Sequence, residues 1–243
     1  MALSSDACYL YVTDFHKNHK NRVNVLDASS GARQYSFAVG DDAHSLGGIC
    51  ATWGKYVYRT YVCDPYHDVV FINDAITGSL VHRLLNPRIR SPLCVVVSRH
   101  RIYVACSNCI VVFRESDGSF LFWFGRSFFN YTAIAASVVT GHVYVVDHYL
   151  VDVFSEDGEF LRELSIPEST GVKFNPRHIC VSVKDEVYVS DCAGCVRVFD
   201  SSGTYDRTID LKFGSNNIRG LALSRDGRLF VADSGATCVH VLE

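Results

Sequence analysis

The sequence predicts an all-β protein built from six four-stranded blades. Three observations carry that reading. An aromatic-valine-x-aspartate phrase recurs six times, with cysteine for the aspartate in the third copy, a short polar turn and a β-branched run follow each copy, and no stretch keeps helical periodicity for three turns. The copies are Tyr11-Val12-Thr13-Asp14, Tyr61-Val62-Cys63-Asp64, Tyr103-Val104-Ala105-Cys106, Tyr144-Val145-Val146-Asp147, Tyr188-Val189-Ser190-Asp191 and Phe230-Val231-Ala232-Asp233. Their fourth residues advance by 50, 42, 41, 44 and 42 positions, which is the length of a four-stranded blade.

Each unit supplies its strands in the same order. An apolar run such as Ile179-Cys180-Val181-Ser182-Val183 precedes the aspartate phrase and gives a first strand; the phrase itself gives the second. The third reads Val23-Asn24-Val25-Leu26, Val69-Val70-Phe71-Ile72, Val111-Val112-Phe113, Val151-Asp152-Val153-Phe154, Val196-Arg197-Val198-Phe199 and Val239-His240-Val241-Leu242. A turn ending in glycine (Gly31, Gly78, Gly118, Gly158, Gly203) then leads to an outer strand. One such sheet cannot bury both its faces, whereas blades stacked around an axis can, so the fold class is a six-bladed β-propeller. The blades fall at roughly 1–40, 41–86, 87–127, 128–168, 169–213 and 214–243 of a single domain spanning 1–243. The sixth runs out at Val241-Leu242-Glu243, before any outer strand, which predicts either three strands and an open edge there or a chain that is a piece of something longer.

Composition excludes several classes. With 23 basic against 26 acidic side chains, the net charge of −3 fits neither a polycation nor a disordered acidic tail. Apolar runs such as Cys94-Val95-Val96-Val97 are far too short for a helix that spans a bilayer, so no membrane partner is expected. Met1-Ala2-Leu3-Ser4-Ser5-Asp6 has neither the basic flank nor the apolar core of a secretory signal. Ten cysteines, several inside apolar runs (Cys50, Cys94, Cys180), read as free core thiols of a cytoplasmic protein.

The blade running from Pro176-Arg177-His178-Ile179-Cys180-Val181 through Val187-Tyr188-Val189-Ser190-Asp191 to Val196-Arg197-Val198-Phe199-Asp200 and Gly203 resembles an NHL repeat. The resemblance extends over essentially the whole chain. WD40 blades are the near competitor, but no tryptophan-aspartate pair closes a unit. The resemblance implies a module that binds protein or RNA on the face formed by the loops between blades. It also admits a lyase or hydrolase with a channel site.

Catalysis finds no positive support in the residues. The recurring aspartates read as caps of the turn between second and third strands rather than as metal ligands. The pairs Cys106–Cys109 and Cys192–Cys195 have zinc-like spacing but fall in different blades. His178 is the one histidine at the channel-side start of a first strand, too few for a three-ligand site. No catalytic residue, metal or cofactor is therefore expected. The turns instead divide by charge: Arg88, Arg90, Arg126, Phe128, Tyr131, Arg177, His178 and Arg219 are expected on the inter-blade face, and acids such as Asp27, Asp74, Asp117 and Asp200 on the other. Cations beside planar rings suit a protein or peptide partner, with single-stranded RNA the alternative. Edge-strand pairing at the sixth blade is a further expectation.

Overall fold

The structure is a computed structural model that describes residues 1–4, 6–14, 21–40, 43, 45–53, 58–126, 131–147, 149–171, 173–212 and 217–243. The described residues form 23 strands and one 3-10 turn (Glu168–Thr170), with no α-helix among them. Blade one holds β1 (Ala2–Leu3), β2 (Tyr9–Asp14), β3 (Arg22–Asp27) and β4 (Arg33–Ala38). Blade two holds β5 (Ile49–Trp53), β6 (Tyr58–Asp64), β7 (Val69–Asp74) and β8 (Leu80–Leu84). Blade three holds β9 (Cys94–Ser98), β10 (Arg101–Ala105), β11 (Ile110–Arg114) and β12 (Phe120–Phe124). Blade four holds β13 (Ala133–Ala136), β14 (Val143–Val146), β15 (Val151–Phe154) and β16 (Phe160–Leu164). Blade five holds β17 (Pro176–Val181), β18 (Val187–Asp191), β19 (Cys195–Phe199) and β20 (Tyr205–Asp210). The sixth has only β21 (Ile218–Leu223), β22 (Leu229–Asp233) and β23 (Cys238–Leu242). Neighbouring strands of a blade run antiparallel in chain order, and the fold class is the expected all-β six-bladed propeller.

The chain divides into two compact units, Met1–Trp123 and Phe124–Glu243. Within the first, β6 and β7 show why the strand runs are continuously apolar. Val62, Val69 and Phe71 join the core shared with Tyr11, Val23 and Phe37 of blade one, while Tyr61, Cys63, Val70 and Ile72 join the core shared with Ile102, Val104 and Phe113 of blade three. Successive residues thus face opposite neighbours, as the period of two requires. The second unit repeats this. Val187, Val189 and Phe199 pack toward blade four, Tyr188, Val196 and Val198 toward blade six.

The turn from third to fourth strand carries a second device. A register shift falls at the end of the third strand in blades one, two, four and five, just before this turn. In blade four the turn glycine, Gly158, has φ +84° and lies so close to Phe124 that an added Cβ would sit 2.6 Å from the ring's Cγ. Only glycine combines that left-handed backbone with that approach. Gly78 bears in the same way on Phe37 of the preceding blade.

Gly158→Ala is expected to lower stability by about 2–4 kcal/mol, from left-handed strain plus overpacking. Gly171 shares the positive φ but has open space around it. Gly171→Ala should therefore cost only the strain, about 1 kcal/mol, in a paired chemical-unfolding measurement.

Candidate functional site

The turns between second and third strands are built around the repeated acid. Asp64 Oδ1 accepts the Tyr66 amide at 3.0 Å, Asp191 Oδ1 that of Ala193 at 2.9 Å, and Asp233 Oδ1 that of Gly235 at 2.9 Å. The second carboxylate oxygen reaches a side chain, His67 Nδ1 within the turn at 3.0 Å, and Arg197 Nε at 3.1 Å and His240 Nε2 at 3.5 Å on the following strand. These aspartates are buried turn caps. Asp14 is exposed and accepts the Asn24 side-chain amide at 3.1 Å.

In blade three Cys106 stands at the position of the acid, and the turn is held by backbone hydrogen bonds. Cys106 and Cys109 are both buried, and the Cys106 amide donates to the Cys109 carbonyl at 2.9 Å. A hydrogen bond between the two thiols pushes Cys106 well above the ordinary thiol range, with burial adding to it. The same bond eases Cys109 down, helped by the nearby Arg88 guanidinium. All ten cysteines are free, and burial pushes the core thiols Cys50 and Cys180 up to about 12.

Each turn is tied to the connector that enters its own blade. The amides of Ser107, Cys192 and Ser234 donate to the carbonyls of Arg90, Asn175 and Asn217 at 3.1, 3.0 and 3.1 Å. This places connector and turn side by side on one face within each unit.

In the first unit that face presents Arg88 and Arg90, both exposed. The Arg88 guanidinium lies 4.3 Å over the ring of Trp123, which is 47% exposed, and Arg90 pairs with Asp68 at 2.9 Å. Tyr66, 67% exposed, stands edge-on to His67. In the second unit Arg177 and Arg219 are exposed. Arg177 Nε lies 2.6 Å from Cys192 Sγ, and Arg219 Nε donates to Asn217 Oδ1 at 3.0 Å. Next to Arg177 on β17, the half-enclosed His178 is pushed down to about 3, chiefly by lost hydration, so its ring is neutral. Tyr149 is 77% exposed in the blade-four turn. Phe128 lies outside the described residues.

Two expected face residues have internal duties. Tyr131 is fully buried, which corrects the expectation of an exposed ring. Its hydroxyl accepts the Arg126 amide at 2.6 Å, and burial pushes it up to about 12. Arg126 is clamped by Glu163 at 2.6 Å and Asp152 at 3.2 Å and stacks 4.9 Å over Phe160. The acids of the opposite turns are likewise employed locally. Asp27 Oδ1 accepts the Ser30 amide at 2.8 Å and Asp74 Oδ1 that of Thr77 at 2.8 Å.

Sequence reading missed Asp152, a wholly buried carboxyl in the middle of β15. Its repeat position holds Arg197 in blade five and His240 in blade six, so an acid there breaks the pattern and is a legible anomaly. It also missed Trp123 as the partner of Arg88.

The fold defines the class, a β-propeller of six blades. No protein-family model matches the chain, and no curated protein matches it. Solved structures do. One described as the structure of U3-55K aligns at a TM-score of 0.66 and 18% identity over 96% of this chain and 72% of that one. The WD40 β-propeller domain of Doa1 aligns at a TM-score of 0.70 and 15% identity over 100% of this chain and 77% of that one. At such identities the likeness is one of fold.

Burial, then repulsion from Glu163 and Asp147, raises the Asp152 carboxyl to about 6, against the opposing pull of Arg126. A raised carboxyl favours the fold when protonated. Its contribution is complete below the unfolded value near 3.8 and is lost as pH rises through 6. Asp152→Asn is expected to remove that loss, on the order of 2–3 kcal/mol between pH 3.5 and 7, read as the wild-type-minus-variant difference in unfolding free energy.

Proposed function

We propose that this protein is a non-catalytic interaction module, NHL-like in its blades, that binds a protein or peptide partner on the face carrying the connectors and the second-to-third-strand turns. The observation that carries the reading is the exposed Arg88 guanidinium stacked over the exposed Trp123 ring in one unit. Arg177 and Arg219 are exposed on the same kind of connector in the other, whereas Arg126 is committed to two carboxylates. The repeated aspartates, which would otherwise counter these charges, are spent on turn amides and on their own neighbours. Such a surface favours a segment with carboxylates for the guanidinium groups and a flat apolar side chain for the ring. The ten free thiols support a reducing, cytoplasmic setting. A second reading rests on β23, whose outer side has no fourth strand among the described residues and offers backbone groups to an added strand.

Selection from a displayed random-peptide library tests the first reading. Acidic-aromatic peptides should be enriched, and Arg177→Glu/Arg219→Glu or Arg88→Glu/Trp123→Ala should weaken them by tenfold or more, on the order of the 1.4 kcal/mol that one good contact supplies. Retention of pooled single-stranded RNA with a steep salt dependence, and no peptide enrichment, would instead assign the face to nucleic acid.

A further inference from the structure

Blade three reverses the charge of its own end remote from the connector. At the close of the third strand, Asp27 in blade one and Asp74 in blade two accept the amides of the turn that follows. Arg114 holds that place in blade three. Its amide donates to the Ser119 carbonyl and its carbonyl accepts the Gly118 amide, as Asp74 does with Ser79 and Gly78. Here the acid of the turn is Asp117, whose Oδ1 accepts the Ser119 amide at 2.9 Å. Across the sheet the result is a pair of like charges. In blade two Arg59 lies opposite Asp74, and the two side chains meet at 3.5 Å. In blade three the equivalent Arg101 lies opposite Arg114. Cations placed directly opposite on one face of a sheet repel.

The hairpin joining β9 to β10 adds to this charge. Ser98 pairs with Arg101, so the loop is Arg99-His100 alone, and both residues have left-handed φ, +48° and +63°. Two-residue turns of that kind favour Asn-Gly, so a guanidinium and an imidazole are held there against backbone preference. Arg99, His100, Arg101, Arg114, Ser116 and Leu121 together line an open cleft of about 470 Å³. Glu115 lies 3.6 Å from His100 Nδ1, and Asp117 engages Arg114 through Nη1 at 3.3 Å. Three guanidinium groups and an imidazole stand against these two carboxylates.

We propose that this cleft binds a phosphate monoester, whose dianion takes the part that the Asp74 carboxylate plays in blade two. Guanidinium groups on neighbouring strands suit the several oxygens of one phosphate, with Arg99 and His100 supplying further donors from the turn. The Ser116 hydroxyl adds a neutral donor, and Leu121 an apolar wall for the carbon side of the ester. A dianion suits the cluster better than a carboxylate, because a single negative charge offsets only part of the Arg101–Arg114 repulsion. The site lies at the other end of the blade from Arg88 and Arg90 and does not depend on what binds there.

Calorimetric titration of the full chain with phenyl phosphate and, separately, with benzoate tests the site. Phenyl phosphate should bind at least about tenfold more tightly than benzoate. Arg101→Gln should weaken it by about tenfold or more. Arg114→Asp recreates the pairing of blade two. It should abolish phenyl phosphate binding while leaving the circular dichroism spectrum unchanged and the thermal midpoint equal to or above that of wild type. Glycerol 3-phosphate and a phosphoserine pentapeptide, titrated in parallel, identify the carrier. Peptide binding about tenfold tighter than that of glycerol 3-phosphate assigns a phosphorylated protein segment, and any smaller difference a small ester. Phenyl phosphate that fails to bind, or binds no more tightly than benzoate, or binds Arg101→Gln and Arg114→Asp as it binds wild type, would overturn the proposal.

Discussion

The structure depends on strands that have no solvent face. In β6, β7, β18 and β19 consecutive side chains enter different cores, so each such sheet is held by the neighbour on either side. Hydrophobic burial thus acts between blades at least as much as within them, and a lone blade would expose one apolar surface or both. The constraint explains the Val-Val-Phe-Ile kind of run at third strands. It also explains what happens where a fourth strand is absent: in β23, Val241 is 48% exposed, against wholly buried valines and phenylalanines in β11, β15 and β19.

Because the blades are fixed from both sides, chemistry is left to their ends. There the same acid is used repeatedly for the same backbone purpose, and variation falls on what its second oxygen meets. Histidine, arginine and histidine meet it in blades two, five and six, and Cys106 occupies its position in blade three. Asp64, Asp191 and Asp233 each accept turn amides through Oδ1, while Arg88, Arg177 and Arg219 are exposed.

Much of this was legible in the residues. The repeat gave the blade count, the strand order and the cap role of Asp64, Asp191 and Asp233, because those depend on local periodicity and turn chemistry. The three-stranded sixth blade was legible for the same reason. Tyr131 and Arg126 were not, since a connector shows no periodicity and their partners Asp152 and Glu163 lie in later strands. The sequence resemblance pointed to NHL repeats, whereas the solved structures that align include a WD40 propeller. Blade geometry outlasts the signature residues that distinguish one repeat class from another.

The glycine contacts carry an implication for how the chain is made. Gly78 fits against Phe37, and Gly158 against Phe124, each time a later turn settling onto the outer strand of the blade synthesised before it. During translation a blade is thus clasped only when most of its successor has emerged from the ribosome. Assembly proceeds as a travelling front one blade wide, with the newest sheet always the least protected. Within each unit, synonymous changes in translation speed at the blade junctions would bear on yield more than equal changes inside a strand.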